Sequence, residues 1–149
     1  HVALRDPSGM WARTGSAAIR IVSGSAVGVS ATYLQETPNH AASVPVGTSV
    51  SALTFAFDNS AGKSTGFALA NSTTAALQVA ATAYDNSGAR LLSWDITLPA
   101  HGQSAFSLSA AKPELDGVSG VLSFTSASPG LSGFALLFQG DRFRPSVAY

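Results

Sequence analysis

The chain has 149 residues, no cysteine, and eight basic and eight acidic residues that cancel to a formal net charge of zero. Charged residues make up 11% of it, against roughly 25% in an ordinary globular domain, so small neutral residues must cover most of the surface. The composition lacks the basic footprint of a nucleic-acid-binding protein, and it excludes disulfides, thiolate catalysis and cysteine-ligated zinc. No apolar run approaches the roughly 18 residues of a membrane helix, so we expect no membrane span.

The start of the chain bears on where the protein works. The first residue is His1, and no signal-peptide pattern follows it. We therefore expect either that a leader has been removed or that the numbering starts inside a longer protein. The absence of cysteine does not settle the compartment. We favour an extracellular or cell-surface location in a bacterium, because many bacterial surface domains have no disulfides.

Short apolar runs separated by turn residues predict strands along the chain. A strand, a small-residue turn and a second strand are predicted between residues 19 and 35. Leu53, Phe55 and Phe57 then alternate with smaller residues up to a turn at 58–62. Further predicted strands, each alternating or bounded by turn residues, lie at 67–71, 77–84, 90–98, 103–108, 121–126 and 131–139.

One short helical turn is predicted within residues 109–117, around Lys112 to Leu115. A helical interpretation of 68–84 is disfavoured by its Asn-Ser-Thr-Thr cluster and its β-branched residues. Strands that recur about every 8 to 12 residues, with Asn, Asp, Gly and Pro between them, are typical of a sandwich. The sequence therefore predicts an all-β, antiparallel β-sandwich.

An internal repeat suggests how the chain is organised. Residues 19–35 resemble 122–139, with one residue inserted, and 2–9 resemble 81–88. We predict a partial β module in 1–46, a shortened copy of the end of the chain, and a complete module in 47–149. The alternative is that two Ala/Ser-rich hairpins resemble each other by composition alone.

Taken together, the segments FAFDNSAGKSTGFALAN, AYDNSGA, ITLPAHGQSAFSL, GVLSFTS and LSGFALLF resemble Ig-like or fibronectin-III-like β-sandwich modules. Such modules occur in tandem in large secreted bacterial surface proteins. The resemblance covers residues 53–148 and is carried by turn and strand signatures. It implies an extracellular, non-catalytic module, and it transfers no site residue.

Residues 62–65, Gly-Lys-Ser-Thr, match the end of a nucleotide-binding P-loop. That motif needs a glycine five residues before its second glycine, and a helix after it. Phe57 occupies the first position, and an alternating strand follows Thr65. We interpret the segment instead as a hairpin turn with Lys63 as a solvated edge charge, built by the short residues Asp58, Asn59, Ser60 and Gly62.

The three histidines raise a copper hypothesis. If His1 is the mature terminus, it resembles the terminal histidine with which some β-sandwich copper monooxygenases bind their metal through amine and imidazole. His40 and His101 are predicted in a loop and a turn, which are ordinary places for exposed polar residues. No metal ligand is therefore assigned.

No catalytic constellation emerges from the other polar residues. The chain has no Gly-x-Ser-x-Gly elbow, and Asp6, Asp58, Asp85 and Asp116 lie in turn signatures. The pairing of two carboxylates that a glycosidase needs is not visible in one sequence. The sequon at 71–73 is short enough to occur by chance. We predict a non-enzyme with no catalytic, cofactor-binding or metal-binding residue.

The alternative function is a carbohydrate-binding or adhesion module, because aromatic rings on a sandwich can stack on sugars. Alternation places Trp94 on the same side as Leu92 and Ile96, which favours a core position for it. The other ring candidates are Trp11, Tyr33, Tyr84 and Tyr149.

Unguarded sheet edges favour a structural function. The predicted strands at 26–34 and 131–139 carry no charge, and the chain has only two lysines to guard an edge. We therefore predict self-association, or pairing with neighbouring copies, into an array or filament. The predicted core consists of the large side chains Phe55, Phe57, Phe67, Trp94, Phe106, Phe124, Phe134 and Phe138.

Overall fold

The structure, a computed structural model, describes residues 19, 22–24, 30–35, 40–45 and 48–146. Strands account for most of these residues. The elements are β1 Ser30–Gln35, β2 His40–Pro45, β3 Ala52–Asp58, β4 Lys63–Asn71, β5 Leu77–Asp85, β6 Arg90–Leu98, β7 Gln103–Ser107, α1 Leu108–Ala111, a 3-10 turn Pro113–Leu115, β8 Ser119–Ser126, β9 Leu131–Gln139 and β10 Arg142–Ser146.

Eight of these strands form two four-stranded sheets. The first sheet has the order β10-β9-β4-β7, and the second has the order β3-β8-β5-β6. All neighbouring strands are antiparallel. The two sheets share one apolar core, so the all-β antiparallel sandwich predicted from the sequence is confirmed.

The connections differ from the prediction at residues 58–62. A hairpin joins neighbours of one sheet, but β3 lies in the second sheet and β4 in the first. The segment is therefore a crossing between sheets, and the hairpin interpretation was wrong. The described strands are joined within one sheet by the hairpins β1–β2, β5–β6 and β9–β10. Strand β10 was not predicted, because its two arginines and its proline interrupt the apolar alternation that indicates a strand.

The core lies where alternating residues of both sheets meet. Along β4 every second side chain from Thr65 to Asn71 is buried. The rings of Phe55 and Phe124 belong to the second sheet and that of Phe67 to the first. They contact one another edge-on, with centroids 5.4 to 6.3 Å apart. Edge-to-face contacts of this kind stabilise a core beyond the effect of burying the apolar area alone. The three rings therefore hold the two sheets against each other.

The predicted core members behave in three ways. Phe55, Phe57, Phe67 and Phe124 are buried, as predicted. Phe106 and Trp94 are partly buried and contact the core. The prediction was wrong for Phe134 and Phe138, since Leu131 and Ala135 face the core and these two phenylalanines lie on the opposite face of β9.

The amino-terminal described strands form a sheet of their own. β1 pairs with β2 antiparallel, and β2 contacts β10. His40 is the first residue of β2, so its predicted loop position was wrong. Most of the predicted partial module lies outside the described residues, including 1–18 and 25–29. The division into modules 1–46 and 47–149 stays a prediction.

The edges of the sandwich also differ from the prediction. β9 pairs with β4 on one side and β10 on the other, so residues 131–139 are interior and not an open edge. The edge strands are β10 and β7 in the first sheet, and β3 and β6 in the second. Within the two four-stranded sheets, association through an edge must use one of these four strands. Among the described residues, β1 and β2 of the two-stranded sheet also each pair on one side only.

The outer face of the second sheet carries a row of hydroxyl groups. Thr54, Ser123, Thr82 and Ser93 lie opposite one another across its four strands. The Ser93 hydroxyl donates to the hydroxyl oxygen of Thr82 at 3.2 Å. We call this set the hydroxyl row, and it gives the outer face a polar surface without charge.

Truncating Phe124 tests the core. Phe124→Ala should lower the free energy of unfolding by about 3 to 5 kcal/mol, because it removes a fully buried ring from the inter-sheet cluster. Urea denaturation measures this change. Val121→Ala is the control, since Val121 lies on the same strand but is 37% exposed, and it should cost less than about 1 kcal/mol. Equal losses in the two variants would contradict the strand register.

Candidate functional site

Residues 58–65 form a tight turn and not a phosphate cradle. Asp58 Oδ1 accepts hydrogen bonds from the Ser60 backbone N–H at 3.0 Å and from its hydroxyl at 2.6 Å. The Lys63 N–H donates to the Ser60 carbonyl at 3.0 Å. Ala61 and Gly62 have positive φ angles of 50° and 73°, and strand β4 begins at Lys63 with no helix. The turn interpretation of the Gly-Lys-Ser-Thr segment is confirmed.

Lys63, predicted as a solvated edge charge, is partly exposed but forms an ion pair within the turn. Its Nζ lies 2.7 Å from Asp58 Oδ2, with both side chains partly exposed. The hydrogen bond from Lys63, followed by those from Ser60, lowers the pKa of Asp58 to about 2. The ammonium group is therefore committed to the turn, and it holds the Asp58 side chain in the carboxylate form that the turn needs.

The neighbouring Asn59 ties this turn to the core. Its side chain is buried. Asn59 Oδ1 accepts from the Thr65 N–H at 2.9 Å, and its Nδ2 donates to the Leu115 carbonyl at 3.1 Å. These bonds satisfy groups that would otherwise be buried without partners. The polar residues of the motif thus hold the crossing from β3 to β4 and the 3-10 turn together.

The same hydrogen-bond pattern, between an acceptor side chain and the residue two positions later, recurs at two other turns. Asp85 Oδ1 accepts from the Ser87 N–H and hydroxyl, and these bonds, with one from the Ala89 N–H, lower the pKa of Asp85. Asn71 Oδ1 accepts from the Thr73 N–H and hydroxyl in the same way. An acceptor side chain that bonds the backbone two residues on is a local signal, so these turns were readable from the sequence.

The sequon at 71–73 is a structural turn. Asn71 is buried, and its Nδ2 donates to the carbonyls of Ala75, Leu98 and Pro99 at 2.7, 3.2 and 2.9 Å. A glycan would have to be attached to this same nitrogen. The folded chain therefore does not present Asn71 as an acceptor.

Among the described residues, no arrangement of side chains supports the copper or the hydrolase hypothesis. His101 lies in an exposed turn, as predicted, with a φ of 52°, His40 begins β2, and His1 lies outside the described residues. Within the described ranges, no three His, Asp or Glu side chains come close enough to share a metal ion. Asp58 and Asp85 both serve turns, as predicted.

Trp94 faces the core side of β6 with Leu92 and Ile96, as predicted, and all three side chains are only half buried. Lys112 Nζ lies over the Trp94 ring, 5.1 Å from its centroid, in a cation–π arrangement. The ring is thus occupied on two sides and is not an open stacking platform. Tyr84 is half buried, while Trp11, Tyr149 and the Tyr33 side chain lie outside the description.

Three of the four edges are protected. β10 carries Arg142, Arg144 and Pro145, which are residues that discourage pairing. β7 has five residues and runs directly into α1. β3 is partly covered by β10, and the Ser146 hydroxyl donates to the Ala56 carbonyl at 3.2 Å. These edges give a neighbouring strand little to pair with.

The fourth edge, β6, is long and weakly protected. It has nine residues and no proline or lysine, although Arg90 and a β-bulge protect its first residues, and in the part of the chain that the structure describes it pairs with β5 alone. Its core-facing residues Leu92, Trp94 and Ile96 are half buried, and Leu91 on its outer face is 40% exposed. Lys112 and the outer-face Asp95 offer partial protection. We call this surface the β6 edge, and it is the candidate functional site.

Comparison with known protein families, with curated proteins and with solved structures gives no match. Neither helical segment among the described residues has the length and apolar character that crossing a membrane requires.

Acidification should weaken the Asp58 turn. Because the pKa of Asp58 is lowered to about 2, its contribution to stability is complete above pH about 4 and is lost as the pH falls towards 2. Asp58→Asn should cost no more than about 1 kcal/mol at pH 7, since the pair is partly exposed. That difference should vanish near pH 2 in urea denaturation, and an equal loss at both pH values would contradict the assignment. In Lys63→Gln, NMR titration should find the pKa of Asp58 shifted upward.

Removing the Asn71 amide should destabilise the fold strongly. Asn71→Ala leaves buried carbonyls without a donor, and we expect a loss of about 2 to 4 kcal/mol in urea denaturation. The matched control is Asn86→Ala, because Asn86 is exposed and should cost under about 1 kcal/mol. Similar losses in both variants would show that the Asn71 bonds contribute little.

Proposed function

We propose that this chain is a non-catalytic structural module whose copies pair through the β6 edge. A two-fold pairing of this kind gives dimers, which become an array or filament where several modules are linked in tandem in one chain. The observation that carries the proposal is the combination found at β6: a nine-residue edge strand whose core-facing apolar residues are half buried. Unpaired backbone groups along an edge recruit other strands. Here the apolar row beside them adds a reason for a neighbour to remain bound.

Pairing between two β6 edges would give the unpaired backbone groups hydrogen-bond partners and would also cover the half-buried apolar residues. Two antiparallel copies of β6, related by a two-fold axis, would join two four-stranded sheets into one sheet of eight strands. Alternation keeps Leu92, Trp94 and Ile96 of both copies on the core side. The contact would reduce the exposure of these three side chains, and the hydrophobic effect would favour it.

The setting we propose is the bacterial cell surface or the extracellular medium. The resemblance to tandem Ig-like modules supports this setting. A carbohydrate-binding function has less support, because the Trp94 ring faces the core and its other side is taken by Lys112. Separate chains and modules of one longer chain present the same edge, so either arrangement supplies the neighbouring copy.

An acidic residue placed on the β6 edge should weaken association. Ser93→Glu adds a second carboxylate beside Asp95 on the outer face of β6. In an antiparallel pairing of two copies centred near Trp94, the four carboxylates would lie close together and repel. We expect the association constant from sedimentation velocity to fall at least about tenfold, or about 1.4 kcal/mol. Hydrogen exchange should find β6 amides protected only in the wild-type assembly.

The matched control is Ser123→Glu. Ser123 belongs to the same hydroxyl row but lies on the interior strand β8. This variant adds the same charge away from the edge, so it should associate like the wild type. A wild-type chain that stays monomeric at high concentration, with fast exchange along β6, would overturn the proposal. Equal weakening by both variants would show that net charge, and not the edge, controls association.

A further inference from the structure

Asparagine is followed by serine three times in the chain, at Asn59, Asn71 and Asn86. Asparagine is a thermolabile residue, because the backbone nitrogen of the next residue can attack its side-chain amide carbon. That nitrogen gives its proton to the solvent and forms a C–N bond with Cγ, and the Nδ2 group takes up a proton and leaves as ammonia. Water then opens the five-membered imide ring to an aspartyl or an isoaspartyl residue.

The core holds two of these asparagines away from the reaction. The side chains of Asn59 and Asn71 are both buried. The Asn59 amide bonds the Thr65 N–H and the Leu115 carbonyl, and Asn71 Nδ2 donates to three carbonyls. Attack requires the side chain to rotate towards the following nitrogen, which would break these buried bonds. The fold therefore protects both residues.

The third asparagine, Asn86, lies in the exposed turn between β5 and β6. Its Nδ2 donates to the Ser119 hydroxyl at 3.1 Å, in a bond that is itself exposed. Water therefore reaches the Asn86 amide, and little holds the side chain away from the Ser87 nitrogen. That nitrogen is the restrained partner, since the Ser87 N–H donates to Asp85 Oδ1 at 2.8 Å.

We infer that Asn86 is the first of the three asparagines to deamidate in the folded chain, and that Asp85 sets its rate. The Ser87 nitrogen must give up its hydrogen bond to the carboxylate before it can attack. The carboxylate also repels the negative charge that develops on this nitrogen as its proton leaves. The Ser87 hydroxyl and the Ala89 N–H donate to the same carboxylate oxygen, at 2.6 and 2.9 Å, and so hold it in place.

Either product changes the hairpin that joins β5 to β6. The donor to Ser119 is lost, and a new carboxylate appears next to that of Asp85. The isoaspartyl product also adds one carbon to the backbone of a tight turn, in which the Gly88 N–H donates to the Asp85 carbonyl at 3.1 Å. Strand β6 begins at Arg90, so the modification acts at the start of the β6 edge. The site itself does not rest on the proposed function.

The test follows the three asparagines of the full chain during incubation in mildly alkaline buffer. Peptide mapping by mass spectrometry measures the aspartyl and isoaspartyl products at each position, and the same chain unfolded in urea gives the reference rates. In the folded wild type we expect product first at Asn86, formed more slowly than in urea, while Asn59 and Asn71 stay intact. Product first at Asn59 or Asn71, or none at Asn86, would overturn the site. Equal rates at Asn86 in the folded and unfolded chains would overturn the role of Asp85.

Variants separate the Ser87 nitrogen from the Asn86 side chain. Asp85→Ala removes the acceptor, and we expect Asn86 to react about three- to thirtyfold faster. Asp85→Ser keeps a weaker acceptor and should give an intermediate rate. Ser119→Ala is the control, because it frees the Asn86 side chain but leaves the Ser87 bond in place, so its rate should stay near that of the wild type. An unchanged rate in Asp85→Ala, or an equal increase in Ser119→Ala, would contradict the role of Asp85.

The Asp58 turn provides a matched control for burial. Asp58→Ala frees the Ser60 N–H in the same way, but it leaves the Asn59 side chain buried and bonded. We therefore expect Asn59 to stay intact in this variant, and circular dichroism checks that each variant is folded. If Asn59 reacted there as fast as Asn86 does in Asp85→Ala, burial would not be what protects it, and the choice of Asn86 would be wrong.

Discussion

The contact between the aromatic rings of the two sheets is the interaction on which the other features depend. Phe55 and Phe124 come from the second sheet and Phe67 from the first, and the three buried rings pack edge-on between the layers. Small residues such as Ala81, Ala83 and Ala135 fill the remaining core positions. With so many small side chains, a few rings supply much of the apolar area that the fold buries.

The connections that cross between the two sheets depend on buried polar residues as much as the core depends on the aromatic rings. When a chain leaves one sheet for the other, its backbone groups lose their ladder partners near the core and need new ones. Asn59 and Asn71 provide these partners within their own turns and to distant carbonyls. No buried side-chain nitrogen or oxygen among the described residues lacks a hydrogen-bond partner. In the described sandwich, hydrogen bonding of the buried polar side chains therefore accompanies the aromatic packing.

Local patterns were predictable from the sequence, and pairings were not. The alternation at 77–84 and the Asp-Asn-Ser turns depend on near neighbours, so the strands and turns there were correctly predicted. Residues 134–138 carry large apolar residues on both faces, so period-two alternation could not show which face was buried. Sheet membership depends on partners far along the chain. For that reason the crossing at 58–62 was mistaken for a hairpin, and the interior strand β9 for an edge.

For the candidate surface, too, the local pattern was predictable and the strand pairing was not. Leu92, Trp94 and Ile96 were correctly placed on one side of β6, but that β6 ends its sheet is visible only in the strand order.

The hydroxyl row has a consequence for how such a module responds to its surroundings. Its four side chains, Thr54, Ser123, Thr82 and Ser93, present a polar surface to water without any charge. Dissolved ions act on protein surfaces mainly by screening charges, over a Debye length of about 10 Å at 0.1 M salt. The row itself carries no charge and offers dissolved ions little to screen, although Asp95 lies on the same face. The hydration of the hydroxyl row should therefore change little with ionic strength where screening is the main effect of the ions.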